Sequence, residues 1–492
     1  MTDRGTRVLS LLLAVCLCAT LLIGCQEQPD VPDVPGTPET PTVPDTPDEP
    51  DVPDEPDVPA EPEDPTDVID PSKWTMQDKV TDHLTLHGRT VSDGKMLTLF
   101  WTNSGFSFNF YGSCVRAKLT MLSDTIVDAA KYAYLNVYID GSPVPYQTIC
   151  VDNSMIDGLS VDLVRGLSLG NHTIEVRKRN EAVTSPAIGV SGLNVTDGAF
   201  IRDVPQTYAH NIEFIGDSIT CGFGNLSLDG SGGDNGFVNT SLQEGTVTYA
   251  TLAARALNAD AHVLSRSGWC FSPDVDHGNT FYRYYEQTVF PSKAGAPWDF
   301  DAHPMDMIVI NLGTNEHWSL VDGAVLTPAG VTERAVAFLE LVRSHNPDAY
   351  ILWAYGMMGS RFGDALAEAV EQFSQKYNDD KVSFLLLESL KKEEWTGSQS
   401  HPSIQTDINR SVVLAKEIAR LMGWDLDFYP TLQAQIAYAE WFIASGNYTQ
   451  ESCDELQVLI DAAKTVQSGT EAEYLEIIRM LYEAQRALIP LS

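Results

Sequence analysis

Basic residues are scarce in this chain. Its 492 residues hold 31 Lys and Arg against 68 Asp and Glu, a formal net charge of −37, so there is little positive charge to meet a phosphate backbone and nucleic acid is not an expected partner. Metal-ligand patterns are missing too. No Cys-x-x-Cys pair and no histidine cluster occurs among the eight cysteines and ten histidines, and the sequence carries no metal signal. Long apolar runs are also lacking. The longest, Val8 to Ile23, is shorter than the roughly 20 residues that cross a bilayer as a helix.

That one run has a different look. Arg4 and Arg7 precede it and Leu22-Ile23-Gly24-Cys25 ends it, which resembles a bacterial lipoprotein signal: residues 1–24 would be removed and Cys25 lipidated as the mature N-terminus. An ordinary signal peptide or a short membrane helix is the alternative. Residues 25–72 form an acidic linker. Every third residue from Pro29 to Pro65 is proline, and residues 26–71 contain sixteen acids and no Lys or Arg. Polyproline II turns once per three residues at about 3.1 Å each, so this segment is expected to extend on the order of 110 Å, as a stalk off a cell surface. It contributes −16 of the net charge.

The rest divides by periodicity. Residues 73–204 alternate apolar and polar in short segments, such as Leu97-Thr98-Leu99-Phe100-Trp101 and Tyr134 to Ile139, which predicts an antiparallel β-sandwich or jelly roll. Residues 205–425 alternate strands with helical segments at Val247–Leu257, Ala329–Arg343, Asp364–Tyr377 and Ser411–Leu421, which predicts an α/β fold with a doubly wound parallel sheet. Residues 428–490 read as a small three-helix bundle. Thr470 and Glu473 make a capping box there, and Tyr474, Ile477, Ile478, Leu481 and Leu488 follow at helical spacing.

Chemistry concentrates at strand ends of the middle region. Ile212-Glu213-Phe214-Ile215 runs into Gly216-Asp217-Ser218-Ile219-Thr220, where Gly216 is expected to turn the chain sharply and present Ser218 in a cleft. Ala261-His262-Val263-Leu264 runs into Ser265-Arg266-Ser267-Gly268, and Met307-Ile308-Val309-Ile310 into Asn311-Leu312-Gly313-Thr314-Asn315-Glu316. The main-chain N–H groups of Ser218 and Gly268 and the Asn315 amide would suit a developing oxyanion. His401 lies downstream in Ser400-His401-Pro402-Ser403, where Pro402 biases it to extended backbone and where a general base would be supplied.

Ser218, Gly268, Asn315 and His401, in that order and context, resemble the four blocks of the SGNH (GDSL-type) hydrolases. The strings Ile215 to Gly224 and Ile310 to Glu316 most resemble carbohydrate esterase family 2. The resemblance spans roughly residues 80–424. It implies a β-sandwich ahead of a catalytic domain and a serine esterase, without cofactor or metal, that deacetylates polysaccharides such as acetylated xylan or mannan. Neutral glycans suit the acidic surface best. Ser218 would be the nucleophile and His401 the base. A non-catalytic surface glycan-binding protein on the same fold, or an esterase for lipid or peptidoglycan acetyl groups, are the rival readings. Residues 445–452 resemble the start of a FIVAR module, which implies interaction or spacing.

One position departs from the pattern. The family usually has aspartate three residues before the histidine, and Ser398 stands there. Some members of the resembled family work as Ser-His dyads with a backbone carbonyl holding the ring, which is the reading favoured here; Glu393 and Glu394 are the alternative acids, although their charged run suggests a solvated face. His317 is a lesser rival base. Gly166-Leu167-Ser168-Leu169-Gly170 fits the nucleophile-elbow pattern, but an alternating strand follows it instead of a helix, and Gly170-Asn171 reads as a hairpin turn. Trp318 and Trp269 are the expected sugar-binding aromatics. Cys221 and Cys270 fall on neighbouring loops and could form a bridge, with two buried thiols as the plainer alternative.

Overall fold

The two periodicities become two kinds of sheet. The structure, a computed structural model, describes residues 68–69, 84–182, 185–196, 198–201, 208–227, 230–234, 237–289, 296–391 and 397–491. The signal, Cys25, nearly all of the linker, Glu393 and Glu394 lie outside these residues. In the first domain the principal strands are β1 (Leu97–Leu99), β2 (Gly105–Leu122), β3 (Ala133–Ile139), β4 (Gln147–Val151), β5 (Leu159–Lys178) and β6 (Ala187–Thr196). They lie in one ten-stranded antiparallel sheet, with β6, β2, β5, β3 and β4 as successive neighbours. Alternate residues of β2, such as Phe106, Phe108 and Phe110, meet Ile174 and Val176 of β5 in one apolar core.

The predicted hairpin turn at Gly170-Asn171 is not formed. Both residues pair in mid-strand, Gly170 with Gly112 and Asn171 with Tyr111. The irregularity falls on residues 166–169, opposite the register shift between Gly112 and Cys114, with Gly166 at φ +77°. A bulge in β5 absorbs the extra residues opposite the single residue of β2 between Gly112 and Cys114. Ser168 lies in this antiparallel strand, away from any strand-to-helix turn.

The second domain has a parallel sheet of β7 (His210–Gly216), β8 (Ala259–Ser265), β9 (Met307–Asn311), β10 (Tyr350–Gly356) and β11 (Val382–Leu387). The spatial order is β8-β7-β9-β10-β11. Because the chain goes from β7 to its neighbour β8 on one side and then crosses to β9 on the other, the carboxyl ends of β7, β8 and β9 surround a topological switch point. Gly216 pairs with Ser265 on one side and Asn311 on the other, so three loops leave the same edge in register. Helices α1 (Ser218–Cys221), α2 (Tyr249–Ala256), α3 (Phe281–Tyr284), α4 (Pro328–His345), α5 (Gly363–Tyr377) and α6 (Ile404–Met422) complete the domain. Met307 and Val309 belong to the core under α2 and α6, whereas Ile308 and Ile310 belong to the core under α4 and α5. This is the two-faced burial expected of a parallel sheet.

Helix α6 begins seven residues earlier than its apolar period suggests. Ser403 caps it by accepting from Thr406 N–H, and its first turns carry buried polar groups, Gln405 and Asp407, that interrupt the pattern. The last three helices, α7 (Tyr429–Ala444), α8 (Gln450–Lys464) and α9 (Glu471–Arg486), pack on one another. The Thr470–Glu473 capping box is formed. These helices do not have a separate core: Leu432, Ile436, Phe442, Leu456, Ile460 and Leu481 are continuous with the apolar layer of α2 and α6.

The sheet domain is joined to the parallel-sheet domain by buried ion pairs. Arg89 Nη2 lies 2.8 Å from Glu213 of β7, and Arg177 Nη2 2.9 Å from Asp260 of β8. His87 Nδ1 is 2.7 Å from the other Asp260 oxygen. Burial alone would raise the Asp260 pKa, yet Arg177 and His87 hold it well below the carboxylate range. Buried charges of this kind are expensive unless paired, so the two domains form a single charge-matched unit.

Candidate active site

Ser218 opens α1 directly after β7 and is 7% exposed. Gly216 does not turn with positive φ, as the sequence suggests. It is needed because Thr220 folds back on it: a Cβ at residue 216 would stand 2.0 Å from Thr220 Oγ1. The reversal occurs at Gly222, φ +72°, which caps α1. Asp217 Oδ1 accepts from Ile219 N–H at 3.0 Å and fixes the start of the helix.

His401 Nε2 lies 2.8 Å from Ser218 Oγ. On the far side of the ring, Nδ1 faces two main-chain carbonyl oxygens, those of Ser398 and Gln399, each at 3.2 Å. The carbonyls converge because Gln399 (φ +53°) and Ser400 (φ +60°) both adopt left-handed backbone, at a cost of roughly 1–2 kcal/mol per residue. The Ser398 hydroxyl points elsewhere and donates to Ser231 O. Phe223 packs on the imidazole with ring centroids 4.5 Å apart. Burial pushes the His401 pKa down to about 4, against the opposing pull of the Gln399 and Ser398 carbonyls.

The histidine loop is docked on the serine loop by main-chain bonds. Ser398 N–H donates to Gly224 O at 3.0 Å and Ile404 N–H to Asn225 O at 3.0 Å. The approach is so close that a Cβ on Gly224 (φ +63°) would lie 2.5 Å from Ser398 Cβ. Asn225 Nδ2 also reaches Asp407 Oδ2 of α6 at 3.1 Å.

Gly268 stands at the tip of the loop after β8, exposed, with φ +77°. Among the described residues the N–H groups of Ser218 and Gly268 donate to no protein acceptor. The Asn315 amide is already engaged: Nδ2 donates to Trp269 O at 2.9 Å and to Asp217 Oδ2 at 3.1 Å. Burial pushes Asp217 up to about 7, against the Ile219 N–H. Glu316 Oε1 accepts from Phe271 N–H at 2.6 Å and Ser272 N–H at 3.2 Å, tying the β9 loop to the β8 loop. Burial pushes Glu316, too, up to about 7.

The two tryptophans separate. Trp318 is 78% exposed, directly after the turn that carries Asn315. Trp269 is 0% exposed and its ring lies against Phe281, Tyr284 and Arg266. It offers no face to a sugar, and its part in the site is the carbonyl that holds Asn315. His317 is bound to Arg361 Nη1 through Nδ1 at 2.9 Å and sits edge-on to Trp318. Cys221 and Cys270 are free thiols. Their sulfurs meet different hydroxyls, Ser265 Oγ at 3.2 Å and Ser319 Oγ at 3.1 Å, so the possible bridge is not formed. Asp217 and Glu316 stand inside strings that point to the site, but only the fold gives them partners.

Comparison with known proteins agrees with this arrangement. Residues 86–205 match the carbohydrate esterase 2 N-terminal family and residues 214–403 the GDSL-like lipase/acylhydrolase family. The cellulase/esterase CelE of Acetivibrio thermocellus is 29% identical over 333 residues, which span 66% of this chain but only 38% of that protein. An acetylxylan esterase/glucomannan deacetylase of Cellvibrio japonicus is 22% identical, over 70% of this chain and 90% of that one. Among solved structures, a family two carbohydrate esterase from Clostridium thermocellum in complex with cellohexaose is 26% identical with a TM-score of 0.60, covering 69% of this chain and 99% of that one. An acetyl xylan esterase of Butyrivibrio proteoclasticus shares the fold, with 24% identity and a TM-score of 0.62 over 73% of this chain and 98% of that one. The chain thus resembles a carbohydrate esterase 2 N-terminal domain followed by a GDSL-like hydrolase domain, in the order its residues 86–205 and 214–403 match.

Proposed function

We propose that the chain is a surface-anchored serine esterase that removes O-acetyl groups from polysaccharide, with acetylated xylan or mannan as the substrate class. The observation that carries the reading is the 2.8 Å contact between Ser218 Oγ and His401 Nε2, with the other ring nitrogen turned to carbonyl oxygens. An Nδ1–H that donates to those carbonyls leaves Nε2 free to accept, which is the tautomer a general base needs. The names of the relatives, acetylxylan esterase and glucomannan deacetylase among them, support the substrate class.

In the first half-reaction His401 takes the Ser218 proton as Oγ bonds to the acetyl carbon. The oxyanion is met by the N–H groups of Ser218 and Gly268; the Asn315 amide joins them by exchanging one of its two present bonds, to Asp217 Oδ2 or Trp269 O, for the oxyanion. Protonated His401 then gives its proton to the departing sugar oxygen, the ester C–O bond breaks, and acetyl-Ser218 remains. In the second half His401 deprotonates water, which attacks the acetyl group; the Ser218 oxygen leaves with the proton, and acetate is released. Two carbonyl dipoles take the place of a triad's carboxylate, so the catalytic unit is a dyad. Trp318 is the platform on which a sugar ring stacks. The finer layout belongs to the same reading: a jelly-roll sheet domain and, at 428–490, a FIVAR-like bundle.

A fluorophosphonate probe is expected to label Ser218, and a nitrophenyl acetate assay to show a burst followed by steady turnover. Labelling mapped to Ser168 would overturn the assignment of Ser218 as the nucleophile, and the absence of a burst with Ser218 unlabelled would favour a glycan binder. Acetate release across defined acetylated xylans, mannans, peptidoglycan fragments and lipid esters then identifies the substrate. The anchor is tested separately. Cys25→Ser should move the protein from the membrane fraction to the medium, and a wild-type protein already free in the medium rules the anchor out.

A further inference from the structure

We propose that Glu181, a residue of the N-terminal sheet domain, is a positioning residue of the active site: it sets the Ser267–Gly268 turn so that the Gly268 N–H is aimed at the oxyanion. This rests on the reading of Gly268 as an oxyanion donor. Glu181 stands three residues past the end of β5, is 0% exposed, and reaches across the domain boundary. Ser267 N–H donates to its Oε2 at 2.8 Å and the Ser267 hydroxyl donates to its Oε1 at 2.8 Å. One carboxylate thus holds both the main chain and the side chain of the residue before Gly268.

The two ends of the turn are anchored separately. Arg266 N–H donates to Gly216 O at 3.1 Å and Trp269 N–H to Arg266 O at 3.3 Å. Between these two bonds Ser267 is half-buried and Gly268 forms the exposed tip, and a glycine at φ +77° with open space around it would otherwise sample many orientations. The carboxylate itself has further contacts. Gln243 Nε2 donates to Oε1 at 3.3 Å, the Cys221 thiol lies 3.5 Å from Oε2, and Lys178 Nζ binds Asn180 O at 2.6 Å and Glu181 O at 3.3 Å. Asn180 Nδ2 is in turn fixed to Thr240 O at 2.7 Å.

A buried carboxylate is costly to desolvate and persists where it holds specific donors. Its negative charge would oppose an oxyanion, so its contribution is geometric: it keeps the Gly268 N–H in place before the reaction begins. The sheet domain is then part of the catalytic apparatus as well as a neighbour of it. Carboxylate and amide have the same shape, so Glu181→Gln keeps one acceptor for Ser267 N–H, while the Ser267 hydroxyl can turn to accept from the new amide.

The test uses the full chain. Glu181→Ala is expected to lower kcat about 10- to 100-fold with KM unchanged, and to slow fluorophosphonate labelling of Ser218 in proportion, because the lost interaction is made in the transition state. Glu181→Gln should recover to within about tenfold of wild type. Ser267→Ala, which removes only the hydroxyl arm from a partly exposed site and should leave the fold intact, is expected to lower kcat about 3- to 10-fold at constant KM. Unchanged kcat in folded Glu181→Ala would overturn the proposal; so would a kcat loss in Glu181→Gln as deep as in Glu181→Ala, and, should Glu181→Ala fail to fold, an unchanged Ser267→Ala. A wild-type protein that shows no burst refutes the esterase reading, whereas an active wild type with insensitive variants refutes only the role of Glu181.

Discussion

His401→Ala is expected to lower turnover roughly 10⁴- to 10⁶-fold, the range found when the base of a serine hydrolase is deleted. Ser398→Ala should lose less than about tenfold. The contrast follows from what each group touches. The His401 ring is the only basic group in contact with Ser218 Oγ among the described residues, whereas the Ser398 side chain donates to Ser231 O and holds the ring only through its main-chain carbonyl. Alanine keeps that carbonyl. A collapse of Ser398→Ala to the His401→Ala level, in folded protein, would mean that the hydroxyl itself orients the ring.

The acid limb of the pH profile is the companion measurement. A base must be neutral to accept a proton, and burial holds the His401 pKa at about 4 in the free enzyme. Activity is therefore expected above that value and is lost as pH falls through it, so kcat/KM should rise through about pH 4 instead of through the ordinary imidazole range near 6.5. A carboxylate behind the ring would push the inflection the other way, toward or above 6.5. The position of the limb thus reports whether carbonyl dipoles or a charge orient the histidine.

What could be read in the sequence is what is encoded locally. A run of apolar residues that ends in glycine and a small polar residue specifies a parallel strand and its exit loop within about ten positions, which is why the sequence alone sets Ser218, Gly268 and Asn315 on one sheet edge. The in-register pairing of Gly216 with Ser265 and Asn311 turns those three exits into one site. Contacts made at long range were not legible. Glu181 is 86 residues from Ser267, and nothing in Arg179-Asn180-Glu181 marks an acid that will be buried under another domain's loop. Trp269 and Trp318 look alike as aromatics beside motif loops, yet one is filled against Phe281 and Tyr284 while the other is left in solvent. The start of α6 is hidden in the sequence because Gln405 and Asp407 are polar by type and buried by circumstance.

Deleting residues 428–492 is expected to destabilise the hydrolase domain itself, with a fall of at least about 10 °C in Tm. An independent module would come away without loss, since it would take its own core with it. Here the core is shared. Helix α7 packs on α2 and α6 as well as on α8 and α9, and Leu432, Ile436, Tyr438, Ala439 and Phe442 belong to the same apolar layer as Leu252, Ile408, Leu414 and Ile418. Apolar residues all round a helix mark burial on more than one side. Each fully buried Leu, Ile or Phe contributes about 1.5–3 kcal/mol, so uncovering even three or four on α2 and α6 is comparable with the whole margin of about 5–15 kcal/mol that holds a domain folded. Polar groups bind the same seam. Gln405 of α6 and Gln435 of α7 exchange two hydrogen bonds of 3.0 Å, and Gln435 donates on to Gln485 of α9. Helix α6 begins three residues after His401, so its loosening reaches the active site, and kcat should fall together with Tm. A truncated chain that keeps both its Tm and its turnover would show that these helices form an independent appendage and that α6 needs no cover.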